Sequence, residues 1–164
     1  MEKSFSTIKN ITNTYQTCFD KNFDIKYPNF FNYGGLRNLG HFKKSFNDKP
    51  LISIITTSLN SSKTIEKTIL SVLNQTYDNV EFIIVDGNST DDTLKIIKKY
   101  EKFIDFWISE KDNGIYDAMN KGLKFSKGEV IVFVNAGDTF TKNALKILFK
   151  KFKESPDLSF IFGT

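Results

Sequence analysis

The chain alternates short apolar runs with longer stretches in which apolar residues recur every three or four positions. The short runs are rich in β-branched side chains and bounded by polar residues, a pattern typical of buried parallel strands. They predict strands over residues 51–55, 80–85, 103–109, 129–134 and 158–162. The longer stretches predict amphipathic helices over residues 63–75, 115–125 and 142–153. A further helix is predicted to start at a capping box at 89–92 and to end at about residue 102.

Strands that alternate with helices of this length predict an α/β fold. Right-handed β-α-β units produce a mostly parallel sheet with helices on both faces. In open sheets of this kind, ligands bind beyond the carboxyl ends of the strands. The segments that follow the strands are therefore the first place to look for function.

The composition and the periodicity of the chain change near Pro50. We place a boundary there between an N-terminal extension (1–49) and the main domain (50–164). The extension is rich in Asn, Lys and aromatic residues and has no clean periodicity. So many aromatic side chains in a short stretch favour packing against another surface. That surface is either the main domain or an interface, through which the chain would form an oligomer.

Composition narrows the function classes. The net charge is +4, but the lysines lie mostly on predicted helices among acidic residues, which is typical of a solvated face and not of a nucleic-acid site. A basic surface would also suit anionic lipid headgroups or a diphosphate substrate. One cysteine, Cys18, allows no intrachain disulfide, and no run of 18 apolar residues occurs. We expect a cytoplasmic protein, with peripheral association at the inner face of the membrane as a further expectation.

Small, polar or acidic residues follow three of the predicted strands, in segments 56–60, 86–92 and 135–139. A carboxylate at such a strand end can accept hydrogen bonds from a base or ribose, or hold a hard divalent cation that also binds phosphate. Asp86 suits the first role and Asp138 the second. Taken singly, each of these aspartates forms an ordinary turn signal with the glycine next to it, Gly87 or Gly137. Their occurrence together at strand ends favours a ligand site.

Segment 112–122 lies between these strand ends. A turn at Asn113 and Gly114 and close helix packing at Gly122 would explain its glycines. The turn and the helix packing do not explain why Tyr116, Asp117 and Asn120 form a polar stripe at helical spacing. This stripe is as consistent with a ligand-facing surface as with a solvated one.

Five ordered segments together resemble the family-2 glycosyltransferases, which have a GT-A fold. Residues 53–60 resemble the opening strand and nucleotide loop, residues 71–77 the "SvlnQty" helix end, and residues 85–93 the "vDgxStDgT" element. Residues 112–122 are similar to the "DxGiydAmNkG" segment, and residues 135–138 stand where the acidic DXD-type motif stands. The resemblance extends over residues 50–164.

The resemblance implies an enzyme that transfers a sugar, with inversion, from a nucleotide diphosphate donor, commonly uridine-linked. The acceptor would be a saccharide or lipid-linked molecule in cell-surface polysaccharide synthesis, and Mg or Mn would assist. Thr57 and Asp86 would contact the nucleotide, and Asp138 would be the metal ligand. The remaining donor contacts would be Asn135 and Ala136 at the ribose and diphosphate, and Asp112, Gly114 and Asn120 along the donor.

The chain departs from this family pattern in two places. Many members have a second acidic residue where Gly87 stands, and the acidic motif here keeps one carboxylate, Asp138. The resemblance also places the catalytic base, usually an Asp, in a second half of the fold beyond residues 158–162, so no residue up to Thr164 is assigned as base. We therefore expect a donor-binding part that is inactive alone.

Two other functions compete with this interpretation. A non-catalytic nucleotide-sugar-binding or assembly module would keep the donor site and use the aromatic extension for contacts. A dinucleotide-dependent oxidoreductase would need a Gly-x-Gly-x-x-Gly turn after the first strand, but residues 56–63 contain no glycine. Since His41 is the only histidine, a histidine-based metal site is excluded as well.

Overall fold

The computed structural model describes residues 32–155, which form a five-stranded sheet with four α-helices. The strands are β1 Tyr33–Gly34, β2 Ile52–Ser58, β3 Val80–Asp86, β4 Phe106–Ser109 and β5 Val130–Phe133. The helices are α1 Ile65–Leu73, α2 Thr93–Lys99, α3 Ile115–Phe125 and α4 Ala144–Glu154. Two short 3-10 helices, Leu36–Leu39 and Glu101–Phe103, precede β2 and β4.

The strand order across the sheet is β1-β4-β3-β2-β5, and all pairs are parallel except β1 with β4. Side chains alternate between two apolar layers because successive strand residues point to opposite faces. Ile54 of β2 joins the layer that contains residues of α1, α2 and α4, whereas Ile55 joins the layer that contains Ala118 of α3. The predicted α/β sheet with helices on both faces is confirmed.

Several element boundaries differ from the sequence prediction. Residues 56–58 continue β2, because Ser58 pairs with Asp86 at the end of the parallel ladder. Residues 103–105 precede β4, in part as the short 3-10 helix. The capping box at 89–92 is wrong: the Ser89 hydroxyl donates to Asp86, and no side chain caps α2 at Asp92. The predicted strand at 158–162 lies outside the described residues.

The described part of the N-terminal segment packs on the main domain. Tyr33 and Gly34 extend the sheet beside β4. Arg37 forms a buried ion pair with Glu81 of β3, and Lys43 Nζ lies 2.8 Å from the Asp105 carboxylate in a second buried pair. Residues 32–49 therefore contribute to the folded unit that carries the sheet, while the boundary at residue 50 stays a prediction.

Helix α3 lies close to the sheet at Gly122, where a β-carbon would be 2.3 Å from Cγ2 of Ile55. Ile55 is fully buried, so it has little room to move away. We expect Gly122→Ala to lower the free energy of unfolding by about 1–3 kcal/mol through overpacking, which outweighs the gain in helix propensity of about 1 kcal/mol. Urea unfolding measures the change.

The matched control for this clash is Ile55→Ala combined with Gly122→Ala. Because Ile55→Ala removes the atom that the new methyl group meets, the double variant should be more stable than the sum of the two single effects predicts. Strict additivity would show that the two side chains do not meet.

Among the helices that the structure describes, none is both long and apolar enough to cross a membrane.

Candidate functional site

The carboxyl edge of the sheet is built around Asp86, the last residue of β3. Its carboxylate is fully buried and accepts four hydrogen bonds. Oδ1 accepts from the Ser58 hydroxyl at 3.1 Å and the Ser89 hydroxyl at 2.5 Å. Oδ2 accepts from the Ser89 amide at 3.0 Å and the Ser109 hydroxyl at 2.7 Å. Asp86 thus joins the ends of β2, β3 and β4 with the loop after β3.

Thr57 and Asn135 meet at the same edge of the sheet. The Thr57 hydroxyl donates to Asn135 Oδ1 at 2.8 Å, and the Ala136 amide donates to the Thr57 carbonyl at 3.0 Å. These two contacts join the end of β2 to the loop that follows β5. The structure therefore brings together three residues, Thr57, Asn135 and Ala136, to which the family resemblance gives donor contacts.

Asp112 and Gly114 lie in the loop between β4 and α3. Oδ1 of Asp112 accepts a hydrogen bond from the Gly114 amide at 2.9 Å, and Gly114 has φ of 110°, a conformation that favours glycine. Oδ2 points toward Gly87, where it would lie 2.6 Å from a β-carbon at that residue. Since Gly87 follows Asp86 directly, the Asp112 carboxylate belongs to the same edge.

Asp138 is held by its backbone and presents its carboxylate outward. The Thr68 hydroxyl of α1 accepts from the Gly137 amide at 3.0 Å and donates to the Asp138 carbonyl at 2.8 Å. Thr68 is fully buried, so the loop after β5 is fixed to the helix. Asp138 is exposed, and within residues 32–155 its carboxylate has no hydrogen-bond partner. It is therefore an acidic side chain that is available to a ligand.

The residues of the polar stripe on α3 differ in their contacts: Asp117 bonds to the preceding loop, whereas Asn120 is exposed. The Asp117 carboxylate accepts from the Asn113 amide at 2.9 Å, and this bond is the main reason that the pKa of Asp117 lies below its usual value. Lys121 pairs with Asp117 at 3.5 Å and with Glu110 at 2.8 Å, which ties the helix to the preceding loop. Asn120 is exposed, and within the described residues no hydrogen bond joins its side chain to the other candidate residues.

The two loops after β2 and β3 are cross-linked. The Asn60 amide donates to the Ser89 hydroxyl at 2.8 Å, and the Ser62 amide donates to the Asp91 carboxylate at 3.0 Å. Asp91 also accepts from the amide and hydroxyl of Thr93, and chiefly the hydroxyl bond holds the pKa of Asp91 well below its usual range. The loops at this edge are therefore preorganised before any ligand arrives.

Sequence reasoning missed the residues that support the site. Ser58, Ser109 and Thr68 make its decisive hydrogen bonds, yet serine and threonine near strand ends or in helices carry no distinctive signal. No group of three His, Cys, Asp or Glu side chains within the described range could hold a metal by itself. Any cation here would depend on ligands from the bound molecule.

A family model described as glycosyl transferase family 2 matches residues 53–163. The putative teichuronic acid biosynthesis glycosyltransferase TuaG of Bacillus subtilis is 40% identical over 103 residues, which are 61% of this chain and 41% of TuaG. WfgD of Escherichia coli is named a UDP-Glc:alpha-D-GlcNAc-diphosphoundecaprenol beta-1,3-glucosyltransferase. It is 33% identical over 117 residues, which are 71% of this chain and 46% of WfgD.

Solved structures with a similar fold include two that contain a nucleotide sugar. Staphylococcus aureus TarS in complex with UDP-GlcNAc has a TM-score of 0.58 and 29% identity, and the match covers 63% of this chain and 31% of that chain. A mannosyltransferase from Pyrobaculum calidifontis, in complex with GDP-Man and Mn²⁺, shares the fold with a TM-score of 0.53 over 60% of this chain and 30% of that one, at 23% identity. The chain thus spans less than half the length of these relatives.

Proposed function

Because the chain belongs to glycosyl transferase family 2, we propose that the carboxyl edge of its sheet binds a nucleotide diphosphate sugar, with uridine as the base. The observation that carries the proposal is that Thr57, Asn135, Asp112 and the exposed Asp138 all lie at that edge, at the end of β2 or in the loops after β4 and β5. The UDP-GlcNAc complex of TarS and the UDP-Glc in the name of WfgD support uridine.

For the whole protein we propose inverting transfer of the sugar to a saccharide or lipid-linked acceptor in polysaccharide synthesis. The names of TuaG and WfgD support this acceptor class. A lipid-linked acceptor would place the protein at a membrane surface, where its net charge of +4 favours contact with anionic headgroups. In this proposal the chain supplies the donor site, and a catalytic base from outside it completes the enzyme.

Asp138 fits a divalent cation as its single protein ligand. Magnesium is commonly bound through one or two carboxylates together with substrate phosphates and water. An exposed carboxylate without a hydrogen-bond partner in residues 32–155 meets that requirement. When bound, such a cation supplies Lewis-acid stabilisation of the departing nucleoside diphosphate. Ala136 and Gly137 leave space beside Asp138 for phosphate, since a β-carbon at Gly137 would meet no atom closer than 3.9 Å.

Asp138→Ala is expected to abolish the gain in UDP affinity that Mn²⁺ produces, while leaving the metal-free affinity nearly unchanged. The reason is that Asp138 carries the exposed carboxylate of the loop after β5, and its own backbone, which holds that loop, is unaffected by the substitution. Titration calorimetry with UDP, with and without Mn²⁺, measures both affinities.

The matched control is Asp48→Ala, which removes an exposed carboxylate before the amino end of β2. It should keep the full response to Mn²⁺. An undiminished Mn²⁺ response in Asp138→Ala would contradict the role of Asp138. Release of UDP that depends on an acceptor, measured with the complete protein, distinguishes transfer from binding alone, and its absence would favour a non-catalytic binding module.

A further inference from the structure

We infer that Asp112, admitted by Gly87, is the carboxylate that recognises the nucleoside, and that Asp86 is a positioning residue that does not contact the donor. This inference rests on the proposed function, because it concerns how the same site reads its nucleotide. The family resemblance implies donor contacts for both residues, whereas this inference keeps Asp112 as the nucleoside contact and removes Asp86 from the donor.

The first step concerns the capacity of Asp86. A carboxylate offers about four lone-pair sites on its two oxygens. In this structure four protein donors occupy them, two on each oxygen, at distances between 2.5 and 3.1 Å. The side chain is also fully buried. A nucleoside could bind Asp86 only by displacing a protein donor, which would cost the hydrogen bond it replaced.

The second step concerns the free oxygen of Asp112. Oδ1 accepts from the Gly114 amide, whereas Oδ2 has no donor within the described part of the chain. Asp112 is only partly buried, in contrast to the fully buried Asp86. Oδ2 of Asp112 can accept a hydrogen bond from the imide N–H of a base or from a ribose hydroxyl without breaking any contact in the protein.

The third step concerns Gly87. A β-carbon there would lie 2.6 Å from Oδ2 of Asp112 and 3.3 Å from Cδ1 of Leu59. Any side chain at residue 87 would therefore displace the Asp112 carboxylate from its place beside the end of β3. The glycine does not serve backbone strain, since Gly87 is not among the residues with positive φ. Its role is to make room for a carboxylate that comes from the loop after β4.

The inference predicts how each of three variants binds UDP and how stable each is. Asp112→Asn should weaken binding by about 10- to 100-fold, because a charged acceptor is lost, and should leave the thermal midpoint unchanged. Gly87→Ala should weaken binding to a similar extent by displacing that carboxylate, with no further loss in the double variant. Asp86→Asn should lower the thermal midpoint, because an amide nitrogen would then face protein donors. The control is Asp92→Asn, an exposed acid in the loop after β3, which should change neither quantity.

Nucleotide analogues identify the contact itself. N3-methyl-UDP lacks the imide donor and 2′-deoxy-UDP lacks one hydroxyl, so at least one of them should bind the wild-type chain more weakly than UDP does. That penalty should disappear in Asp112→Asn and persist in Asp86→Asn. A penalty that persists in Asp112→Asn, or a wild-type chain that binds all three ligands equally, would overturn the inference. Failure of the wild-type chain to bind UDP at all would instead overturn the proposed function.

Discussion

Arg37→Met is expected to lower the free energy of unfolding by about 3–5 kcal/mol, because it leaves the Glu81 carboxylate buried without its cation. The side chains of Arg37 and Glu81 are only 5% and 2% exposed, so water cannot replace the lost partner. Arg37 also donates to the Phe125 carbonyl at 2.6 Å, and this bond would be lost as well. Urea unfolding followed by circular dichroism measures the change.

The control for Arg37 is Lys150→Met, which breaks an exposed ion pair with Glu154. That pair is 3.6 Å long and its side chains are 76% and 50% exposed, so its loss should cost less than about 1 kcal/mol. If Arg37→Met were as mild as Lys150→Met, the pair with Glu81 could not be buried in solution as the structure has it.

Removal of residues 1–49 is expected to have a larger effect, since it deletes both buried cations at once. Asp105 would lose Lys43 while its carboxylate remains committed to the Phe82 amide at 2.8 Å, and Glu81 would lose Arg37. Two uncompensated buried charges cost more than a domain of this size can spare, given typical stabilities of about 5–15 kcal/mol. We expect the shortened chain to lack a cooperative unfolding transition.

A rescue experiment tests the cause of that loss. Glu81→Gln with Asp105→Asn in the shortened chain removes both charges and keeps oxygens that can accept from Ser53 and Phe82. The shortened chain with both substitutions should again show a cooperative unfolding transition, at a lower urea concentration than the full chain. A shortened chain that unfolds at the same urea concentration as the full chain would show that residues 32–49 add nothing to the domain.

The fold was predictable because its signal is local. Period-two and period-3.6 patterns identify strands and helices without knowledge of their partners, and α3 has the predicted bounds, 115–125. The end of β2 was not predictable in this way. Thr56, Thr57 and Ser58 have the composition of a loop, and they are strand residues because each pairs with a residue of β3.

The sequence predicted the edge of the sheet at which the candidate site lies, but not the hydrogen bonds and contacts within the site. The sequence placed Asp86 at the end of a strand, and in the structure Asp86 is the last residue of β3. Its partners Ser58 and Ser109 are 28 and 23 residues away along the chain, so a sequence pattern gives no sign that they saturate its carboxylate. Likewise, Gly87 is an ordinary turn glycine in sequence, and only the structure shows that it makes room for Asp112.

The most direct test of the central claim, a donor site at the carboxyl edge, is a nuclear magnetic resonance titration of the isotope-labelled chain with UDP and Mn²⁺. We predict that UDP shifts the amide signals of Gly87, Gly114 and Ala136, and that Mn²⁺ broadens those of Gly137 and Asp138 only when UDP is present. Shifts confined to the opposite edge, around Lys49 and Glu129, or no shifts at saturating UDP, would contradict the claim.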